Sequence, residues 1–395
     1  MLALLATAEL LAMAPWFSAS AVAPALVAHW HLGPAAAAWL TITVQLGFVA
    51  GALTSAVFTI SDLLSARRLI AVAATVAALA TAAVAFAPGP ASGVALRVVT
   101  GAALACVYPP GMKLVAGWYR EGRGAAIGIM VGALAIGSAG PHLVRWVLPA
   151  DLWRPVMLAA ATAALAGGLL VLAIPNDGPY ASRAPVFSWS AVPRLLGERA
   201  LMLANLGYLG HMWELYAMWT WIAVFVAASE RARGVVDPGG VPALVAFAVI
   251  ASGAVGCWLA GRWADRYGRT LVTSVAMAIS GTCALAVGLV FGQPLVALAP
   301  VLVVWGIAIV ADSAQFSTAV SELAPPDLVG TALTLQTCMG FLLTCLTIYF
   351  LPAVAGALGW RWTMSLLAIG PAFGVWAMLA LRRRPEAVRL AGGRA

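Results

Sequence analysis

Lysine is almost absent from this 395-residue chain, with Lys113 as the single example. Charged residues of every kind make up 9% of it, against about a quarter in an ordinary soluble domain. That scarcity excludes a soluble globular protein. With 63% hydrophobic residues and a mean hydropathy of +0.98, too little polar surface is left to face water. A phosphate-cradling loop requires Gly-Lys-Ser/Thr. Lys113 follows Met112 and precedes Leu114, so the chain is not its own ATPase. HExxH and GxSxG do not occur, and His211 with Glu214 forms an isolated His-x-x-Glu, so neither an enzyme nor a bound cofactor is expected. The five cysteines, Cys106, Cys257, Cys283, Cys338 and Cys345, lie in apolar stretches and form no CxxC pair, as small core residues do. His29 and His31 form a lone HxH, too little for a metal site.

What is present is a series of long apolar runs. They fall near residues 3–27, 36–60, 68–87, 93–116, 125–148, 154–174, 200–227, 241–262, 270–291, 295–318, 330–354 and 362–381. Each is close to the roughly 20 residues that cross a bilayer as a helix. The expected fold is all-α and integral to the membrane, with twelve transmembrane helices. The first run begins at Met1 and is too long for the apolar core of a cleavable signal peptide. Its missing polar lead-in leaves open a native start upstream. The longest polar stretch, residues 175–199, divides the chain into a six-helix bundle at 1–174 and a second at 200–395 with a short basic tail.

The net charge of +8 could suggest nucleic acid, but the basic residues sit between apolar runs and read as topology. Even-numbered loops hold Arg67, Arg68, Arg120, Arg123, Arg183, Arg194, Arg199, Arg262, Arg266 and Arg269, and the tail holds five more arginines. Odd-numbered loops hold only Arg154, Arg231, Arg233 and Arg361. Basic loops stay in the cytoplasm, so both termini are expected there, in a multi-pass protein of the inner membrane.

The halves repeat. Asp62 matches Asp265 at an offset of 203, Gly101 matches Gly306 at 205, Gly124 matches Gly330 at 206, and Trp153-Arg154 matches Trp360-Arg361 at 207. Parallel six-helix repeats place a solute site between the halves near the midplane.

Three motifs carry a resemblance. "GRWADRYGRT" at 261–270 has a degraded counterpart, "SDLLSARR", at 61–68. "RVVTG" at 97–101 sets an arginine four residues before a glycine, and "GIMVGALAIGSAGPH" at 128–142 is rich in glycine before Pro141. Together they resemble the major facilitator superfamily over essentially the whole chain. The resemblance implies two pseudo-symmetric six-helix bundles working by alternating access. It assigns gating to Asp62, Arg67, Gly261, Asp265, Arg266 and Arg269, with Asp265 facing a neighbouring helix N-terminus, where the dipole is positive. It implies a part in proton coupling for Arg97. Gly137, Gly140 and Pro141, which the resemblance adds to the gating set, resemble the glycine-proline motif associated with exporters, although the glycine spacing is irregular; generic small-residue packing is the other reading.

Polar residues inside the runs complete the candidate site. Asn205, Tyr208, His211 and Glu214 follow at steps of three and read as one helical stripe. A carboxylate and an imidazole one turn apart can share or pass a proton. Asp312, with Trp305 two turns before and Gln315 after, and Glu9, with Trp16 two turns on, add carboxylates beside aromatic walls. Intramembrane ionisable groups are functional hypotheses by default; structural pairing is the alternative for each. The expected coupling set is Glu214, His211, Asp312, Glu9 and Arg97. The expected cavity set is Trp16, Gln45, Tyr108, Tyr208, Trp305, Gln315 and Gln336. In the superfamily the first, fourth, seventh and tenth helices line the cavity. His142 and Arg145 are expected at the membrane interface. Nitrate is unsupported, because the second span offers Gln45 and no arginine.

The expectation is a monomeric secondary transporter of a small solute, proton-coupled, with export favoured over uptake. A uniporter or an importer of a small organic anion, or a non-transporting receptor or enzyme on the same fold, are the alternatives.

Overall fold

The computed structural model describes residues 1–60, 64–181 and 187–394, apart from the side chains of Pro34, Ala35 and Arg123. Asp62 and Arg183 lie outside the described residues. No strand occurs among the described residues, and nearly all are helical.

Ten helices are long and apolar enough to cross a membrane. They are the second to sixth spans (Ala36–Val57, Ala66–Val84, Pro90–Trp118, Gly124–Val147, Trp153–Val171) and the eighth to twelfth (Val241–Tyr267, Arg269–Ala286, Leu295–Leu323, Pro326–Leu358, Trp360–Arg382). The remaining two of the twelve are unusual. The first span is broken into Leu2–Ala12, Ser18–Ala21 and Ala23–Trp30. The seventh is one 34-residue helix, Arg199–Ala232, made less apolar by its own polar residues. Several helices outrun the apolar runs read from sequence: the eighth continues to Tyr267 and the tenth to Leu323.

The two halves pack by the same contacts. Helix crossings this close need positions without a side chain. In the first half, a Cβ on Gly101 would stand 2.0 Å from the carbonyl oxygen of Val44. In the second, a Cβ on Gly306 would stand 2.0 Å from that of Val249. Arg154 donates to the carbonyl of Ala85 at 2.9 Å, and Arg361 donates to that of Gly288 at 3.1 Å. Both guanidinium groups lie over a neighbouring indole, Trp153 and Trp362. The repeat in sequence is therefore a repeat in structure.

Two further spans break at related places. The fourth divides between Leu104 and Tyr108, and the tenth at Asp312. The halves meet along spans two and eleven and along spans five and eight. The end of the bundle that carries both chain ends is called the terminal face below; there Leu2 donates its amide to the Tyr119 hydroxyl.

Candidate functional site

The middle of the seam is aromatic. Trp16, Phe17 and Phe48 from the first half meet Tyr216, Trp219 and Phe341 from the second. Trp16 stacks on Tyr216 with ring centroids 5.7 Å apart, and Phe48 approaches Phe341 to 4.5 Å. Phe17 contacts both Tyr216 and Trp219. The break in the first span makes this possible, since five non-helical residues, 13–17, turn two adjacent rings toward the other half.

Arg97 braces that break. It is fully buried and donates to the carbonyls of Pro15 (2.8 Å), Trp16 and Leu40 (3.2 Å), and to the Ser18 hydroxyl (3.2 Å). Unwinding a helix inside a membrane leaves carbonyls that must be paired internally. A guanidinium supplies five donors in one plane. Among the described residues no carboxylate belongs to this set, so its charge is met by backbone dipoles.

The seventh-span residues do not form one stripe, a correction to the sequence reading. A step of three falls about 60° short of a helical turn. Three such steps therefore carry the direction half-way round. Tyr208 packs on the eleventh span at Gly340. His211 turns to the tenth span, with Nδ1 2.8 Å from Asp312 Oδ1 and Nε2 3.2 Å from Ser313 Oγ. Glu214 turns further, accepting from Trp305 Nε1 at 2.6 Å and from Ser280 Oγ at 2.9 Å. Glu214, His211 and Asp312 are each 1% exposed. They point into the second bundle, between spans seven, nine and ten, rather than into the aromatic seam.

The other candidates separate in the same way. Trp305 serves Glu214, and the Gln315 side-chain oxygen accepts from Arg269 at 2.9 Å. Glu9 is 3% exposed, with Oε2 against Gly111 of the fourth span and Oε1 without a partner. Tyr108 lies within electrostatic reach of Glu9 and of Cys257 across the seam. Gln45, fully buried one turn from Phe48, has neither amide atom paired. The indole nitrogens of Trp16 and Trp219 and the Gln336 side-chain oxygen are likewise unpaired. Buried polar atoms normally have partners. At this seam, among the described residues, those of Gln45, Trp16, Trp219 and Gln336 do not.

Sequence reasoning missed His142 as part of this set. It was expected at the interface, yet it is fully buried, and both ring nitrogens are unpartnered. Ser138, one turn earlier, is also fully buried with an unpartnered hydroxyl. Gly124, Gly128 and Gly132 face the eighth span, Gly137 faces the first, and Ile129 and Leu143 are exposed on the other side. Ser138 and His142 occupy the sector between the two contacts, toward the seam. The signal was present as an i, i+4 polar pair inside an apolar helix.

At the terminal face lies the charged loop. Arg269 donates to both oxygens of Glu322 at 2.8 and 2.7 Å and stands 3.5 Å from Asp265. The other oxygen of Asp265 lies against Gly124, in the first turn of the fifth span: a Cβ there would come within 2.8 Å of it. Gly261 packs on the backbone of Gly124. Arg266 lies over the ring of Tyr267, and Arg67 donates to the carbonyl of Ile174 at 2.7 Å. Pro141 sits inside the continuous fifth helix, and Gly140 has open space where a Cβ would be.

Comparison with known proteins agrees with this architecture. A family model of the Major Facilitator Superfamily matches residues 5–348. The solved structure of a D-xylose-proton symporter superimposes with a TM-score of 0.76 at 15% identity, covering 98% of both chains. The nucleoside transporter NupG, solved as a point mutant, gives 0.72 at 16% identity, covering 96% of this chain and 100% of its own. A bacterial homolog of the human lysosomal transporter Spinster, inward-facing and unoccupied, gives 0.73 at 15% identity, covering 97% of this chain and 98% of its own. A gallate transporter from Pseudomonas putida is 32% identical over 155 residues, 39% of this chain. The match spans about a third of that relative's length, 32%.

Proposed function

The chain belongs to the major facilitator superfamily, a family of transporters rather than enzymes, and from that premise we propose that it moves a small aromatic carboxylic acid across the cytoplasmic membrane together with protons. The observation that carries the coupling is the pair of carboxylates, Glu214 and Asp312, whose contacts are neutral donors and one imidazole. Neither is locked by an arginine among the described residues. A carboxylate held in this way can change its protonation as access alternates. The seventh and tenth helices carry both groups, so the two bundles, 1–174 and 200–395, would rock with the proton site inside the second.

The substrate class rests on the gallate transporter and on the seam. Gallate is a flat hydroxylated benzoate. The rings of Trp16, Tyr216 and Phe341 supply aromatic faces, and the unpaired atoms of Gln45, Trp16, Trp219, Ser138 and His142 supply hydrogen bonds. One charge moving through 100 mV yields about 2.3 kcal/mol, and one pH unit adds about 1.4 kcal/mol. A benzoate anion carried with one proton moves no net charge and draws only on the pH gradient, about tenfold per unit; each further proton adds the membrane potential as well, roughly a few-hundred-fold. The excess of arginine in even-numbered loops supports cytoplasmic termini.

Proton-driven export of the same solutes is the second reading, favoured by the glycine-proline run before His142 in the fifth span. Flux into sealed proteoliposomes tests both. Radiolabelled gallate and benzoate are presented with a pH gradient of either sense, and internal pyranine reports protons. Accumulation on the alkaline side, with matching proton movement, supports co-transport. Accumulation on the acidic side, with protons moving the other way, supports exchange. Gradient-independent equilibration removes the coupling, and no flux of any benzoate removes the substrate class.

A further inference from the structure

After the twelfth span ends at Arg382, the chain turns back beneath the second bundle as a short 3-10 segment, Pro385–Gly392. Leu390 is fully buried there and Ala387 is 3% exposed. The segment packs against the ends of spans eight and ten. Ala391 takes a left-handed backbone conformation, φ 48°, which redirects the chain. Its amide donates to Glu322 Oε2 at 3.1 Å. Arg394 then donates to the main-chain oxygen of Asp265 at 2.7 Å.

The tail therefore touches both acids of the gate, and neither contact depends on the charge of the tail alone. Arg269 bridges Glu322 and Asp265, holding Glu322 through Nε and Nη2 while its Nη1 stands 3.5 Å from Asp265 Oδ1. With Oδ1 of Asp265 toward Arg269, its Oδ2 lies against the first turn of the fifth span at Gly124, where the helix dipole favours a negative charge. That contact joins the two halves. The tail fixes the terminal end of the eighth span through the Asp265 carbonyl and gives Glu322 an additional donor, so it favours this arrangement.

The first half has a counterpart. After the sixth span, Asp177 accepts the amide of Ala66 at 3.0 Å, and Tyr180 donates its amide to the carbonyl of Gly117 at 2.9 Å. Gly117 lies at the end of the fourth span much as Glu322 lies at the end of the tenth. In each half the segment that follows the sixth helix folds back onto the end of the fourth.

We propose that residues 385–394 form a strap that holds the terminal-face gate closed by keeping Arg269 on Glu322 and Asp265 on the fifth span. The strap sets the balance between access states independently of which solute is carried.

Hydrogen–deuterium exchange of the full-length protein in nanodiscs, without solute, tests this. The variants are Arg394→Ala, Leu390→Asp and a truncation after Arg384. The strap predicts severalfold faster exchange in peptides covering 122–130 and 261–268. Peptides covering 69–84 and 272–286 serve as fold controls and stay unchanged. Unchanged exchange at 122–130 in Arg394→Ala and Leu390→Asp overturns the proposal. So does a uniform increase everywhere, which marks general loosening. If the truncated chain does not fold, the two point variants decide. Because no transport is measured, failure here leaves the transport reading standing, and the reverse also holds.

Discussion

Nδ1 of His211 stands 2.8 Å from Oδ1 of Asp312, at the point where the tenth span stops being a continuous helix. The break gives Asp312 freedom to turn toward the seventh span, and Ser313, the next residue, approaches the other ring nitrogen. The imidazole is held between an acid and a hydroxyl. Replacing Asp312 by Asn keeps the shape and removes the titratable group. Proton-driven accumulation in proteoliposomes is expected to fall at least tenfold in Asp312→Asn, while exchange of labelled for unlabelled solute persists. Equal losses of both would instead mean damage to solute binding.

Glu214 allows a second separation of chemistry from structure. Glu214→Gln retains an oxygen for Trp305 or Ser280 and is expected to fold normally, yet to lose the dependence of uptake on external pH. Glu214→Leu leaves the Trp305 indole and the Ser280 hydroxyl without their partner. Unpaired buried groups cost about 1–3 kcal/mol each, so its thermal midpoint in detergent should drop clearly below that of the Gln variant. A Gln variant with the parental pH profile would sink the coupling role.

Arg97 predicts a different phenotype from the acids. Its contacts are with two main-chain carbonyls and one hydroxyl at the break in the first span and with the Leu40 carbonyl of the second span. Arg97→Met should therefore lower stability by several kcal/mol, from about 1–3 kcal/mol per orphaned acceptor. The same loss is expected with or without a proton gradient. A stable Arg97→Met protein that binds solute but no longer couples protons would contradict the bracing role.

His142 should behave in the opposite sense. Its two nitrogens are buried without partners, so His142→Leu removes an uncompensated desolvation cost. The variant is expected to be at least as stable as the parent in a thermal shift assay. Affinity for hydroxylated benzoates should fall on the order of tenfold, with unsubstituted benzoate less affected. Unaltered affinity for both would show that the seam site does not reach this residue.

The crossing glycines test the repeat. A Cβ at Gly101 or Gly306 would meet backbone oxygen at 2.0 Å, whereas Gly140 has nothing within 4 Å. Alanine at either crossing position should sharply reduce folded protein on size-exclusion chromatography, by similar amounts in the two halves. Alanine at 140 should pass unnoticed.

Much of the architecture was legible in the residues. Apolar run length fixes a spanning helix, because lipid offers no hydrogen bonds and the backbone must satisfy itself. The repeat offsets placed Gly101 opposite Gly306 and Arg154 opposite Arg361, and the structure gives each pair matching contacts. The identity of the polar residues inside the spans was equally visible. Their facing was not. Asn205, Tyr208, His211 and Glu214 look collinear when counted in threes, and a real helix separates them by turning about once every 3.6 residues.

The sequence by itself determined that the chain is helical, membrane-spanning and duplicated, because composition and periodicity are local properties that a bilayer reads directly. Only the tertiary structure decided that Arg97 belongs to a helix break, that Glu214 answers to Trp305 and Ser280, that His142 is buried, and that Leu390 and Arg394 return to the gate. Those pairings join residues dozens to more than a hundred positions apart. They depend on how helices rotate and break against one another, which no single segment specifies.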